Sequence, residues 1–307
     1  MVMVIAVFGA TGTLGNSVAR ALLQDSYNFQ VRAVTRDPNK PEAIALADKG
    51  AVVIKADMND RESLVPALKG AHGCFVATNL PLSDPMCQQL EYQQGECVAD
   101  VCMAMKVSHV VLNAQNHVSK VIGVKARHYD AKACINDYMN ERELPLTSII
   151  LPFAYENFLG DFKPKLLQQH DYSISIPMGD LSLNMLSIKQ VGEAVRYIFS
   201  NRTSTVGKTF SLVGDKLTVR EIASVLTNHL RPNVVRDAKV TLPEFHRQNS
   251  SKAGNDDVTN MFDFLHRVTQ RFSMETTRKL IPDLMTFDQW VAQNRETILK
   301  LILNNSS

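Results

Sequence analysis

The sequence predicts an α/β protein in which helices cover both faces of a parallel sheet, with a smaller α/β lobe following it. Over residues 1–153, short apolar runs alternate with helical patterns, as in proteins built from β-α-β units. Beyond Pro152 this alternation loosens. We therefore expect a first domain at 1–153 and a second lobe at 154–307, with part of the later chain returning to the first domain.

The first half supplies strands and helices in strict turn. The predicted strands are 4–10, 29–36, 51–57, 72–79, 107–114 and 145–152, and the predicted helices are 15–25, 41–50, 61–70, 86–106 and 128–143. Gly50 and Gly70 stand where the second and third helices should end. This order predicts a Rossmann-type, doubly wound parallel sheet.

The second half contains fewer regular signals. Residues 172–180 and 207–214 are predicted strands, 187–199, 217–230 and 285–303 are predicted helices, and 247–257 is a polar, loop-like stretch. Ser187 with Gln190, and Thr218 with Glu221, have the spacing of a helix capping box.

Three glycines mark the turn between the first strand and the first helix. Gly9 is free to adopt a positive φ, Gly12 leaves room for a phosphate at the helix N-terminus, and Gly15 permits close packing on the sheet. In a β-α-β unit this Gly-x-x-Gly-x-x-Gly spacing predicts dinucleotide binding. The alternative is a purely structural turn.

The end of the second strand indicates which dinucleotide is bound. A carboxylate there would favour NAD, whereas this strand ends with Arg36, and Lys40 follows. A guanidinium suits the 2′-phosphate of NADP, so we predict NADP(H). Asp37 complicates this interpretation, and both cations are alternatively solvated loop charges.

Polar side chains also end the third and fourth strands. Asp57 and Met58 are candidates to contact adenine, and Thr78 and Asn79 lie where a ribose would be bound. The alternative for each is a residue that simply forms a turn.

The residues of a standard short-chain reductase are present only in part. Lys132 lies in the helix after the fifth strand, but His128 occupies the position of the usual Tyr, and Tyr129 is one residue away. Ala114 stands where a Ser would hold the substrate carbonyl. Because the usual proton donor is missing, we expect a protein that is not an enzyme, with Lys132 as the catalytic candidate if it is one.

Composition narrows the class of protein. The 33 Lys and Arg residues nearly balance 31 Asp and Glu, and no run is long and apolar enough to span a membrane. We therefore expect no direct nucleic-acid or membrane partner, and no metal site. The five cysteines form no Cys-x-x-Cys pair, which predicts reduced thiols in the cytoplasm, with the nucleus left open as a second location.

The motifs together resemble the NmrA-like family of atypical short-chain dehydrogenase/reductase relatives. The matching segments include "VFGATGTLGNSVARALL", "VRAVTRDPNK", "HYDAK" and "LPFAYENFL". The resemblance implies an NADP(H)-binding redox sensor that acts on regulatory protein partners, including in transcriptional regulation. Whether it forms a homodimer is left open. An alternative is an NADPH-dependent reductase of a carbonyl or enone, similar to isoflavone reductases, and a further alternative is an empty scaffold.

The resemblance also implies a set of cofactor-binding residues. In chain order these are Gly9, Ala10, Thr11, Gly12, Thr13 and Leu14 for the pyrophosphate, Arg36, Asp37, Pro38, Asn39 and Lys40 for the 2′-phosphate, Asp57 and Met58 for adenine, Thr78, Asn79 and Leu80 for the ribose, and Lys132, Ala154, Tyr155, Glu156 and Asn157 for the nicotinamide side. Gln93 and Gln190 depart from the family pattern. Phe153 and Tyr155 are candidates to stack on the nicotinamide, or alternatively belong to a buried connection.

Overall fold

A parallel sheet of seven strands, with helices on both faces, forms the centre of this computed structural model, which describes residues 2–78 and 80–303. The strands are β1 Met3–Val7, β2 Phe29–Thr35, β3 Val52–Lys55, β4 Gly73–Val76, β5 His109–Ala114, β6 Leu146–Ile150, β7 Phe153–Ala154, β8 Lys165–Gln168, β9 Asp171–Ile174, β10 Leu183–Leu186, β11 Thr209–Ser211, β12 Asp215–Leu217 and β13 Val234–Asp237.

The helices alternate with these strands in the first half and cluster in the second. They are α1 Thr13–Gln24, α2 Pro41–Ala47, α3 Arg61–Leu68, α4 Cys87–Ala104, α5 Val118–Ile122, α6 Arg127–Glu141, α7 Val191–Ser200, α8 Arg202–Thr205, α9 Val219–Leu230, α10 Leu242–Gln248, α11 Asn255–Arg267, α12 Met274–Leu280 and α13 Phe287–Leu303. Short 3₁₀ helices cover Tyr155–Leu159 and Ile188–Gln190.

The main sheet has the order β11-β6-β5-β4-β1-β2-β3, and every neighbouring pair is parallel. The order reverses between β1 and β4, so the carboxyl ends of these two strands flank the crevice in which doubly wound proteins bind ligands. The predicted fold class is confirmed.

Alternation along β1 shows how the sheet is covered on both faces. Ile5 and Val7 belong to the core beneath α1 and α7, whereas Ala6 and Phe8 belong to the core beneath α3, α4 and α6. Successive strand side chains point to opposite faces, so a β-branched strand buried on both sides requires helices on both sides.

Two segments beyond residue 153 pack with this first domain. Strand β11 adds to the sheet beside β6, and α7 packs on α1, where a Cβ at Gly192 would lie only 2.1 Å from the carbonyl oxygen of Ser17. The division of the chain at residue 153 stays a prediction.

The two predicted capping boxes have different outcomes. Thr218 and Glu221 form theirs at the start of α9. The box predicted for Ser187 and Gln190 is wrong, because a 3₁₀ turn precedes α7 and the Ser187 hydroxyl instead donates to the Glu156 carboxylate at 2.7 Å.

The second lobe contains its own core between two small sheets and the later helices. The sheets have the orders β12-β10-β7 and β13-β9-β8. Tyr155, Phe158, Phe287 and Trp290 are buried together at the centre of this core. The polar stretch 247–257 covers the end of α10, the turn at 249–254 and the start of α11. Within the described residues, no helix combines the length and the apolarity needed to cross a bilayer.

Candidate functional site

The glycine turn presents an open helix N-terminus to the crevice. Gly9 has a φ of 67°, in the region that favours glycine. Gly12 is the N-cap residue of α1, and no side chain accepts a hydrogen bond from the first helical amides. Since these amides have no partner inside the helix, they are available to an anion, and the helix dipole favours negative charge there.

Gly15 allows the first turn of α1 to pack directly against the backbone of Gly9. A Cβ at this position would lie 2.2 Å from the carbonyl oxygen of Gly9, whereas a Cβ at Gly12 would lie 3.4 Å from the same atom. Gly15 is therefore required by the fold, and Gly12 leaves space that the fold itself does not use. The remaining predicted residues of the turn lie around it, with Ala10 buried, Thr11 and Leu14 half-buried and Thr13 exposed.

Asp37 takes part in a local turn at the end of β2. One oxygen of its carboxylate accepts a hydrogen bond from the amide of Asn39 at 3.0 Å, which closes a local turn through Pro38. The side chain of Arg36 is exposed, and the described residues provide no hydrogen bond or ion pair for its guanidinium. Lys40 is exposed at the start of α2. Both cations are thus exposed, and the Asp37 carboxylate has one oxygen inside the local turn and one outside it.

The ends of β3 and β4 face the same crevice. The Asp57 carboxylate accepts hydrogen bonds from the amide and side chain of Asn59, both at 2.9 Å, through one oxygen. Met58 is half-buried against the core below. Thr78 is buried, and Asn79 lies outside the described residues.

Lys132 takes part in a buried network that the sequence analysis missed. Its ammonium forms an ion pair with the Glu91 carboxylate, and the Thr78 hydroxyl donates to the same oxygen at 2.7 Å. The side chains of Lys132 and Glu91 are only 11% and 2% exposed. Three elements, α6, α4 and the β4 end, therefore meet at this carboxylate.

Glu91 rather than Gln93 is the residue of α4 that faces the site. Gln93, where the chain departs from the family pattern, is exposed on the same helix. The signal for Glu91 was in the sequence: it lies on the same stripe as Gln94, Gly95 and Val98, which are all buried. A carboxylate on a buried stripe needs a partner.

His128 lies one helical turn before Lys132 on α6. Burial, and then the charge of Lys132, lower the pKa of His128 to about 4, so its imidazole is neutral at pH 7. Its Nδ1 is buried without a hydrogen-bond partner among the described residues. Tyr129 instead packs against Phe264, and burial raises its pKa to about 12. Tyr129 does not replace the missing proton donor.

The segment after β7 is held by its own contacts. Tyr155 is fully buried against Phe287 and Trp290, so its ring is not available to stack on a nicotinamide. Phe153 packs against other rings of the second core in the same way. The stacking hypothesis is therefore wrong, because these rings supply the hydrophobic core of the second lobe.

The residues around Tyr155 are less buried than its ring. Ala154 and Asn157 are half-buried, and the Glu156 carboxylate accepts from the Ile188 amide at 3.0 Å as well as from Ser187. Glu156 thus ties this segment to the 3₁₀ turn before α7.

A model of the NmrA-like family matches residues 1–291. The chain belongs to the NmrA-like family. This confirms the resemblance found in the sequence.

Two relatives in this family are named as oxidoreductases. The NmrA-like family domain-containing oxidoreductase FrzB of Cladobotryum sp. is 35% identical over 52% of this chain and 49% of its own length. The corresponding oxidoreductase malD of Malbranchea aurantiaca is 30% identical over 67% of this chain and 66% of its own length. The aligned region therefore spans about half of FrzB and about two thirds of malD.

Solved structures show the same fold. NmrA, described as a negative transcriptional regulator and solved in complex with NADP, has a TM-score of 0.78 at 18% identity and covers 95% of both chains. The triphenylmethane reductase of Citrobacter sp., solved with NADP(H), has a TM-score of 0.74 at 18% identity, with 95% of this chain and 99% of that chain covered.

The prediction that this chain is not an enzyme is wrong. Relatives such as FrzB and malD are named oxidoreductases, and the fold is shared with a reductase. The physical reason is that hydride transfer is the chemistry of the cofactor, whereas the absent Tyr would contribute only a proton. The absence of that Tyr is therefore no ground for predicting a protein without redox activity.

Proposed function

We propose that this chain is an NADPH-dependent reductase that transfers a hydride to a small carbonyl or enone compound. The observation that carries the proposal is the combination of an uncapped α1 N-terminus with the unengaged guanidinium of Arg36, which directly follows the adjacent strand β2. The first suits a pyrophosphate and the second suits a 2′-phosphate.

The remaining residues fit the rest of the cofactor. Asp57 has one carboxylate oxygen outside its own turn, which is suited to accept from the adenine amino group. Lys132 would donate to the nicotinamide ribose. The bound cofactor would supply the hydride, and the proton that completes the reduction would come from solvent. Because His128 is neutral at pH 7, its single imidazole N–H is a candidate hydrogen-bond donor to the substrate oxygen but not a proton source.

A cavity beside the crevice has the dimensions of a small-molecule pocket. It encloses about 360 Å³ and is bounded by Leu80 and the residues after it on one side, and by Phe162 and Phe245 of the second lobe on the other. Charged side chains also line it: Asp161, Lys163, Lys165 and Lys252. A larger hollow of about 540 Å³ lies along α4 and α6 and contains none of the predicted site residues. The smaller cavity is the better candidate for the substrate.

Titration with NADPH, NADP⁺, NADH and NAD⁺ by calorimetry tests cofactor choice, and NADPH oxidation across a panel of carbonyls, enones and quinones tests turnover.

We expect Arg36→Gln to weaken NADPH binding about 30-fold while leaving NADH binding nearly unchanged, because only NADPH carries the 2′-phosphate.

Lys49→Gln is the matched control, since Lys49 is an exposed cation just after α2. We expect Lys49→Gln to change neither the NADPH affinity nor the NADH affinity. Equal loss of NADPH and NADH affinity in Arg36→Gln would contradict the assignment of the 2′-phosphate site. No turnover with any substrate, despite tight NADPH binding, would contradict the reductase proposal.

A regulatory role is the second candidate function. The observation in its favour is the fold shared with NmrA, a negative transcriptional regulator. A regulator of this kind requires that its two conformations differ in cofactor affinity. Small-angle scattering with and without NADPH tests this requirement, and identical profiles would argue against it. Regulatory partners, a homodimer and a cytoplasmic or nuclear location stay predictions.

A further inference from the structure

The buried network around Lys132 has a consequence for the redox state of the cofactor. An oxidised nicotinamide ring carries one positive charge and a reduced ring carries none. A lone ammonium beside the ring would therefore repel the oxidised form and leave the reduced form unaffected. Whether the site discriminates between the two forms depends on the net charge around Lys132.

Glu91 cancels that charge. Its carboxylate forms the ion pair with Lys132, and its side chain is 2% exposed, so water does not screen the pair. Thr78 is a hydroxyl donor and the His128 imidazole is neutral at pH 7, so neither adds a formal charge. Arg127 and Asp257 pair with each other, and the buried Asp130 carboxylate, held by the amides of Ser119 and Ala126, is a further charge that all the variants below share.

We propose that Glu91 sets the preference of the site between oxidised and reduced cofactor by neutralising Lys132. The inference rests on the proposed function, because it requires Lys132 to face the nicotinamide end of a bound cofactor. Glu91 is a positioning residue: it acts through Lys132 and holds the ammonium at the junction of α4, α6 and the β4 end. The ammonium has further N–H groups left to donate to a ribose.

The test is the ratio of the dissociation constants of NADP⁺ and NADPH, measured by calorimetry. We expect Glu91→Gln to raise this ratio about tenfold, the order expected for like charges about 10 Å apart at an effective dielectric constant of about 20. Tenfold corresponds to a rise of about 30 mV in the potential of the bound two-electron couple.

Glu141→Gln is the matched control, since Glu141 is an exposed carboxylate at the end of α6. We expect it to leave the ratio unchanged. A folded Glu91→Gln variant that binds NADPH and keeps the wild-type ratio would overturn the inference.

A second pair of variants covers the case in which Glu91→Gln does not fold. Lys132→Gln leaves the carboxylate alone and is expected to lower the ratio, whereas Lys132→Gln combined with Glu91→Gln is neutral and is expected to restore it. If both variants keep the wild-type ratio, the inference is overturned. These binding ratios are independent of turnover, so a chain that binds NADPH but reduces no substrate would contradict the proposed function alone.

Discussion

At the scale of single residues, burial decides which histidines make the stability of the fold depend on pH. His109 and His128 both have a pKa lowered to about 4 by burial, with nearby cations adding to the effect. His109 makes one hydrogen bond, to the Thr147 hydroxyl at 2.8 Å, and its Nδ1 has no partner among the described residues. For His128, burial outweighs the carboxylates of Asp257 and Asp130, which favour the cation.

These two histidines predict how stability depends on pH. In the unfolded chain a histidine has a pKa of about 6.5, so between about pH 6.5 and 4 the unfolded state binds more protons than the folded state. We expect the free energy of unfolding to fall as pH falls through this window, by at most about 3 kcal/mol for each histidine. Urea denaturation at successive pH values measures this slope.

Replacing either residue by Gln should flatten the slope. The effect should persist in 0.5 M salt, because burial rather than a screened surface ion pair causes it. A slope that is the same in His109→Gln, His128→Gln and the wild type would show that neither imidazole stays neutral in the folded chain.

At the scale of elements, the β1–α1 turn separates residues needed for folding from residues left free for a ligand. A Cβ at Gly15 would overlap the backbone of Gly9 and would lie 2.9 Å from the amide nitrogen of Ala10. Gly12 has extended dihedral angles, φ −84° and ψ 161°, that any residue adopts. Gly15 is therefore glycine because the fold leaves no room for a Cβ, whereas on the proposed function Gly12 is glycine because a ligand needs the space.

Alanine substitutions should separate these causes. We expect Gly15→Ala to lower the free energy of unfolding by about 3 kcal/mol, since backbone atoms must move apart. Gly12→Ala should lower it by less than about 1 kcal/mol but weaken NADPH binding at least about tenfold, because its methyl group would lie where the pyrophosphate approaches.

Urea denaturation and NADPH titration of both variants provide the measurement, and each variant is the control for the other. Tight NADPH binding by Gly12→Ala would contradict the placement of the pyrophosphate at this turn.

At the scale of the whole molecule, Arg127 joins the two lobes. Its guanidinium forms an ion pair with Asp257 of α11 at 2.6 Å, and it also donates to the carbonyl oxygens of Leu82, Asp84 and Pro85. The Asp257 side chain is 5% exposed, so its charge has little access to water. This arrangement ties the loop after β4 to the second lobe beside the candidate substrate cavity.

Breaking this contact should affect the whole chain. We expect Arg127→Gln to lower the free energy of unfolding by about 3–5 kcal/mol, because it leaves a buried carboxylate without a cation. Arg127→Lys should restore only part of this, since an ammonium does not reproduce the several directed bonds of a guanidinium.

Arg267→Gln is the control, because Arg267 pairs with Asp263 within α11 and its side chain is 59% exposed. We expect a change below about 0.5 kcal/mol there. Urea denaturation measures all three variants, and hydrogen exchange of residues 82–85 reports on the loop. An Arg127→Gln variant as stable as the control would show that the lobes are held by other contacts.

The sequence by itself determined the doubly wound sheet, the glycine turn and the family. These follow from local signals: strand and helix periodicity, and glycines whose spacing fits only a strand-to-helix turn. It also predicted Arg36 as a cofactor-binding residue, because the residues of a strand are enough to locate the end of that strand.

Only the tertiary structure decided which side chains meet. Glu91 and Lys132 are far apart in the chain, and they pair because α4 and α6 pack side by side on one face of the sheet. The sequence predicts Tyr155 beside the nicotinamide, yet its ring is buried in the core of the second lobe. Burial and pairing depend on contacts between distant elements, and no local pattern specifies them.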